Sequence, residues 1–139
     1  MLRSPSTKAS FGILAAVVVV VGLAAVAREY VHERTQLRLH AAAITQGDPW
    51  RGEAMFIQYG CGSCHALKNV RGAVGSVGPP LDGVAVRVII GGHLSNTPAN
   101  METWIRQPQQ VAPGTAMPDL NVGAEDARDI TAFLYTRAK

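Results

Sequence analysis

Cys61-Gly62-Ser63-Cys64-His65 is the stretch on which the reading of this chain turns. Two thiols three positions apart can add across the two vinyl groups of one haem, and the histidine that follows is then placed to ligate the iron. A C-x-x-C alone would also serve a redox dithiol or half of a zinc site. Tetrahedral zinc needs four ligands, and the chain has no cysteine beyond these two. A thioredoxin-like dithiol wants a β-α-β setting, whereas helices and Gly/Pro loops surround this motif. The expectation is therefore one covalent haem c, attached at Cys61 and Cys64 with His65 on the metal. Both cysteines are consumed, so no disulfide remains to stabilise the fold.

At 139 residues there is room for one modest domain and an extension. The formal charge of +3 lies entirely before Asp48, where Arg3, Lys8, Arg28, Arg34 and Arg38 outnumber Glu29 and Glu33. From Asp48 onward eight basic residues meet eight acidic ones. A neutral domain that gains two haem propionates becomes acidic, so nucleic acid is not an expected partner and the basic residues read as membrane topology.

Phe11 to Ala27 is a run of seventeen apolar residues rich in valine, alanine and leucine. It sits at the short end of what spans a bilayer and exceeds the usual apolar core of a signal peptide. A retained anchor is expected on length. A cleaved signal competes, because Ala25-Val26-Ala27 fits a small-residue cleavage site and Arg3 and Lys8 form a basic leader. No proline or glycine occurs between Gly22 and Gly47, so a helix can continue through Glu29, Arg34 and Arg38. Basic residues flank the run on both sides and leave its orientation open.

Four parts follow: a polar tail over residues 1–10, the anchor over 11–27, a juxtamembrane helix and stalk over 28–47, and a haem domain over 48–139. Asp48-Pro49 has the N-cap and first-position proline of a helix start. Gly52, Phe56 and Tyr59 then lie on a helix leading into the haem motif. A long irregular loop follows, marked by Gly72, Gly75, Gly78, Pro79, Pro80 and Gly83. Thr97-Pro98 predicts a second helix holding Trp104 and Ile105 and ended by Pro108. After a further loop, acids at Glu125 and Asp126 open a last helix with Ile130, Phe133 and Leu134 on one stripe. Such short helices bury little core by themselves, and a covalent haem would supply the missing apolar interior.

Iron held by His65 needs a second ligand or an open site. Met117 lies in Pro113-Gly114-Thr115-Ala116-Met117-Pro118, a proline-bracketed loop able to hold a thioether toward a haem, with simple packing as the plainer alternative. A thioether is soft and favours ferrous iron, so His65 and Met117 as metal ligands would raise the reduction potential and close the site to oxygen. Met55 and Met101, on predicted helices, read as packing residues. His93, in Gly91-Gly92-His93-Leu94, would permit a bis-histidine site but reads better as a surface or propionate-side residue. His32 and His40 on the stalk read as solvated.

Gly52 to His65, Gly78-Pro79-Pro80-Leu81, the Met117 loop and the terminal helix with Phe133 occur in the order found in class I cytochromes c, which the chain resembles over nearly all of residues 48–139. The resemblance implies an all-α class I cytochrome c fold behind one N-terminal transmembrane helix. It also implies a hydrogen bond from the His65 imidazole to the Pro79 carbonyl, which makes Pro79 part of the cofactor site, against an ordinary turn proline. Gly52 is implied to permit close crossing of the first and last helices against Phe133. Covalent haem attachment is an extracytoplasmic event in that family. The implied location is the bacterial inner membrane, with the haem domain on the periplasmic side and the tail in the cytoplasm.

The stretch from Leu94 to Pro118 is similar, more narrowly, to membrane-associated cytochromes c found with or fused to haem-copper oxidases. Arg87 and Trp104 are candidate donors to haem propionates, with core packing an equal reading for Trp104. The implied role is a non-enzymatic electron carrier between a quinol-oxidising complex and a terminal oxidase. Two other readings stay open: a haem enzyme or gas sensor with a displaceable sixth ligand, and a fixed cytochrome subunit of an oxidase.

Overall fold

The protein is described by a computed structural model covering residues 7–138. The side chains of residues 7–10 lie outside that description, as do Met1–Ser6 and Lys139, so the expected cytoplasmic tail with Arg3 and Lys8 lies outside the described residues. Helix α1 runs unbroken over Thr7–Thr45, and the chain divides within it into two compact units, Met1–Gln36 and Leu37–Lys139.

In the first unit every residue from Phe11 to Glu33 is exposed. The best window of this helix reaches a mean hydropathy of 2.4 with none of it buried, so it is long and apolar enough to cross a membrane. The five consecutive valines Val17–Val21 would be poor helix formers in water, where β-branching costs side-chain freedom. In lipid the same segment must satisfy its backbone internally, and a helix does so at any composition. Beyond it Arg34 lies over the Tyr30 ring at 5.0 Å.

The second unit begins ahead of Asp48, where the sequence places the domain boundary. Ala41 and Thr45 are buried in it, and the Thr45 hydroxyl is satisfied there by donating to the Ala41 carbonyl (2.7 Å). Arg38 is tied to Glu53 (2.8 Å) and lies over the Trp50 ring. Gln46 then takes a left-handed turn, φ 59°, and Gly47 passes so close to the backbone of Arg128 that a Cβ there would collide with it.

Asp48 caps helix α2 (Pro49–Gln58) by accepting from the Trp50 and Arg51 amides at 2.8 and 3.2 Å. Its own N–H donates to Asp129 (2.8 Å) on helix α5 (Ala124–Tyr135). Helices α2 and α5 form the main packing pair of the domain. Gly52 is the reason they approach so closely, since a Cβ there would fall on the Asp129 carbonyl. Phe133 is met by Phe56, with ring centroids 5.7 Å apart and tilted by 58°. Arg51 pairs with Asp126 and Asp129, and Tyr59 donates to Asp126 (2.7 Å).

Thr97 caps helix α3 (Pro98–Arg106), whose Met101 and Ile105 are buried against α5. Pro108 ends that helix and opens a four-residue turn of helix, α4 (Pro108–Val111). The long loop predicted after the haem motif is more ordered than its glycines and prolines implied. Strands β1 (His65–Ala66) and β2 (Val74–Ser76) pair antiparallel, as do β3 (Ile89–Ile90) and β4 (Leu94–Ser95). Ile90 to His93 close the second hairpin by a turn with positive φ at both Gly91 and Gly92, the geometry that matches strand twist. Strands of two or three residues carry no alternation long enough to be read from sequence.

Candidate haem site

A cavity of about 460 Å³, walled mostly by apolar side chains, lies within the second unit. Cys61, Cys64 and His65 line it on one side, Met117 and Pro118 line it too, and Ile130 and Leu134 of α5 form part of its floor. Pro79 and Arg87 also border it. His93 does not: the Gly91-Gly92 turn carries it to the surface, where its ring stacks on Trp104 at 6.4 Å. His32 and His40 are exposed on α1.

The cysteine side is shaped by backbone contacts. Gly60, in left-handed conformation with φ 71°, turns the chain out of α2 into a 3-10 turn over Cys61–Ser63. Gly62 lies on Ala73, and Gly75 of β2 lies against the Ser63 and Cys64 backbone; neither leaves room for a Cβ. Burial pushes the Cys61 thiol, as it stands before haem is attached, up to about 11, with a smaller rise from the neighbouring Cys64. A reactive redox thiol needs the opposite shift.

His65 Nδ1 lies 2.8 Å from the Pro79 carbonyl. A carbonyl only accepts, so Nδ1 carries the proton and Nε2 keeps the lone pair that a metal takes. A Cβ at Gly78 would overlap the His65 ring, so glycine there makes the space the imidazole occupies. Arg87 holds the same loop from the other side, donating to the carbonyls of Pro80 and Asp82.

Two residues that sequence reasoning missed shape the rest. Asn96 borders the cavity and ties three segments: its amide donates to the Val84 and Arg87 carbonyls (2.9 and 2.8 Å), and its oxygen accepts from the Tyr135 hydroxyl (2.9 Å). Burial raises the Tyr135 pKa and keeps that hydroxyl a donor. Gln109 on α4 donates to the carbonyls of Thr115 and Met117 at 2.8 and 2.7 Å. Neither residue type has a spacing signature, because its partners, mostly backbone atoms, are brought near by the fold.

This donor set fits a haem. Two thiols, an imidazole with a free lone pair and a thioether border one apolar space, and among the described residues no group of three or more His, Cys, Asp or Glu gathers into an alternative metal site. A cytochrome c family model matches residues 50–138, so the chain belongs to the cytochrome c family and carries a covalently bound haem c. It is an electron-transfer protein. Cytochrome c oxidase subunit 2 of Alkalihalophilus pseudofirmus is 34% identical over 85 residues, which cover 60% of this chain and 24% of that protein. The chain thus matches about a quarter of that relative's length. No solved structure matches it.

Proposed function

We propose that the chain is a membrane-tethered monohaem cytochrome that passes single electrons along a respiratory chain, to or within a terminal oxidase. Cys61 and Cys64 carry the haem by thioether bonds, His65 and Met117 supply the axial nitrogen and sulfur, and Pro79 orients the His65 ring. The haem supplies a one-electron ferric/ferrous couple. The observation that carries this reading is that His65 and Met117 border the same cavity as both thiols. A site filled on both faces leaves no position for oxygen or peroxide, which favours a carrier over a haem enzyme or gas sensor.

Residues 11–27 anchor the protein in the bacterial inner membrane, with residues 1–10 in the cytoplasm and the haem domain, expected over 48–139, in the periplasm. The donor is a quinol-oxidising complex. The likeness to an oxidase subunit 2 supports a terminal oxidase as acceptor, and it favours a second reading in which this chain is itself a fixed oxidase subunit. Anchoring serves either role by raising the effective concentration near membrane partners.

Replacing Met117 by alanine tests the site. The expected result is loss of the far-red absorption band that methionine-ligated ferric haem displays, a fall in reduction potential and new carbon monoxide binding by the ferrous protein. An unchanged spectrum would place the sixth ligand elsewhere. Native gels of detergent-solubilised membranes separate the two roles, since a subunit migrates with the oxidase and a carrier migrates alone.

A further inference from the structure

The Met117 loop has little regular structure to hold it. Residues 112–123 contain no helix or strand, and Gly114 sits in the left-handed region with φ 85°. Thr115 N–H to the Ala112 carbonyl (3.0 Å) is one backbone tie. Ala112 N–H donates to the Pro108 carbonyl (2.9 Å) and Asn121 N–H to Asp119 (3.1 Å), while the ties nearest Met117 converge on a single side chain. Gln109 Nε2 donates to the Thr115 carbonyl (2.8 Å) and to the Met117 carbonyl (2.7 Å), while its Oε1 accepts from the Gly114 N–H (3.2 Å).

That pattern assigns the amide without ambiguity. Two carbonyls demand the NH₂ end and one N–H demands the oxygen, so both donors of the group are used within six to eight residues of its own position. Gln109 is half-buried at the start of α4, and the neighbouring Pro108, among the most buried side chains of the protein, fixes where the helix begins. The clamp therefore hangs from a fixed point and grips the backbone of the ligand residue itself.

We propose that Gln109 is the positioning residue for the Met117 thioether. A thioether is a neutral, soft donor, so no charge draws it to the metal and its occupancy depends on how well the loop pre-aims it. Fixing the Met117 carbonyl and the Gly114 turn removes backbone freedom that the ligand bond would otherwise have to overcome. The inference rests on the assignment of Met117 as axial ligand.

The test uses the full-length holoprotein. Gln109→Glu keeps the length of the side chain and the acceptor for Gly114 but sets a carboxylate against two carbonyls. The expected result at neutral pH is a weakened far-red band and ferrous carbon monoxide binding tighter by about ten- to a hundredfold, the factor equivalent to two lost hydrogen bonds. The haem-to-protein ratio should not change. Acidification, which protonates the new carboxyl and returns one donor, should restore part of the band, a response that mere loosening of the fold would not give. Gln109→Lys keeps donors at the same place and should retain the band. If the carboxylate variant yields no holoprotein, Gln109→Ala against Gln109→Lys supplies the same contrast. Variants without donors that keep the wild-type band and carbon monoxide affinity would overturn the proposal. If Met117→Ala also leaves the band unchanged, the axial-ligand assignment has failed; if Met117→Ala abolishes it, the clamp alone has failed.

Discussion

Residues 60–79 and residues 108–118 border the same cavity, yet they are held in different ways. The first segment is fixed by glycine backbone in contact without clearance: Gly62 on Ala73, Gly75 on the Ser63–Cys64 peptide, Gly78 against the His65 ring. The second is held by two backbone turn bonds and, around Met117 itself, by one amide, that of Gln109. Contacts without clearance tolerate no added atom, so the histidine side should respond all or none to substitution. Hydrogen bonds to a loop can be weakened by degrees, so the methionine side should be adjustable. A carrier needs both: a haem that never dissociates, and a potential that can be set.

Gly78→Val should break the histidine side outright. The side chain would occupy the space of the imidazole, and overpacking against a ring that cannot move aside costs about 1–3 kcal/mol or more. The expected outcome is loss of most covalent haem, read from the ratio of haem to protein absorbance. Full haem content with a normal spectrum would mean that the loop yields more easily than its contacts imply.

Phe133→Ala strikes what both sides share, because Ile130 and Leu134 of the same helix border the cavity between them. Truncating a fully buried phenylalanine that packs on Phe56 should lower stability by about 3–5 kcal/mol in a denaturant titration, with haem still attached. Arg87→Leu removes the donors to the Pro80 and Asp82 carbonyls and should cost about 1–2 kcal/mol. Arg87 also borders the cavity, and loss of its positive charge should lower the potential, because the ferric state carries more positive charge; protein-film voltammetry would read that shift.

The smallest effect is a pH dependence outside the cavity. The Asp126 carboxyl is held below its ordinary range, first by the Tyr59 hydroxyl and also by Arg51. Its pKa is thus lower folded than unfolded. The stabilisation is complete above about pH 4, the ordinary carboxylate value, and is lost as pH falls through the folded value. Asp126→Asn should flatten that part of the acid-unfolding curve. An unaltered curve would assign the acid sensitivity to another group.

The legibility of the protein follows the same division. The C-x-x-C-H motif, the N-caps at Asp48 and Thr97, and the stripe of Ile130, Phe133 and Leu134 all lie within a few residues of one another, and local patterns express them. Both hairpins escaped notice because strands of two or three residues leave no periodic trace. The apolar run from Phe11 and the helix continuing through Arg38 were legible from the lack of glycine and proline between Gly22 and Gly47, but the burial of its last turns in the folded unit from Leu37 was not. Ala41 and Thr45 differ from their neighbours only in what covers them.

By itself the sequence determined the cofactor, the helical class and the existence of an apolar helix, because each depends on residue type at fixed short spacing. Tertiary structure decided which groups share the cavity. It turned His93 outward at a glycine pair, gave Arg87 to loop carbonyls, and made Asn96 and Gln109 into ties. The Arg87 and Gln109 roles, and two of the three Asn96 bonds, depend on backbone carbonyls, which every residue has and no sequence pattern marks, so only the folded chain could assign them.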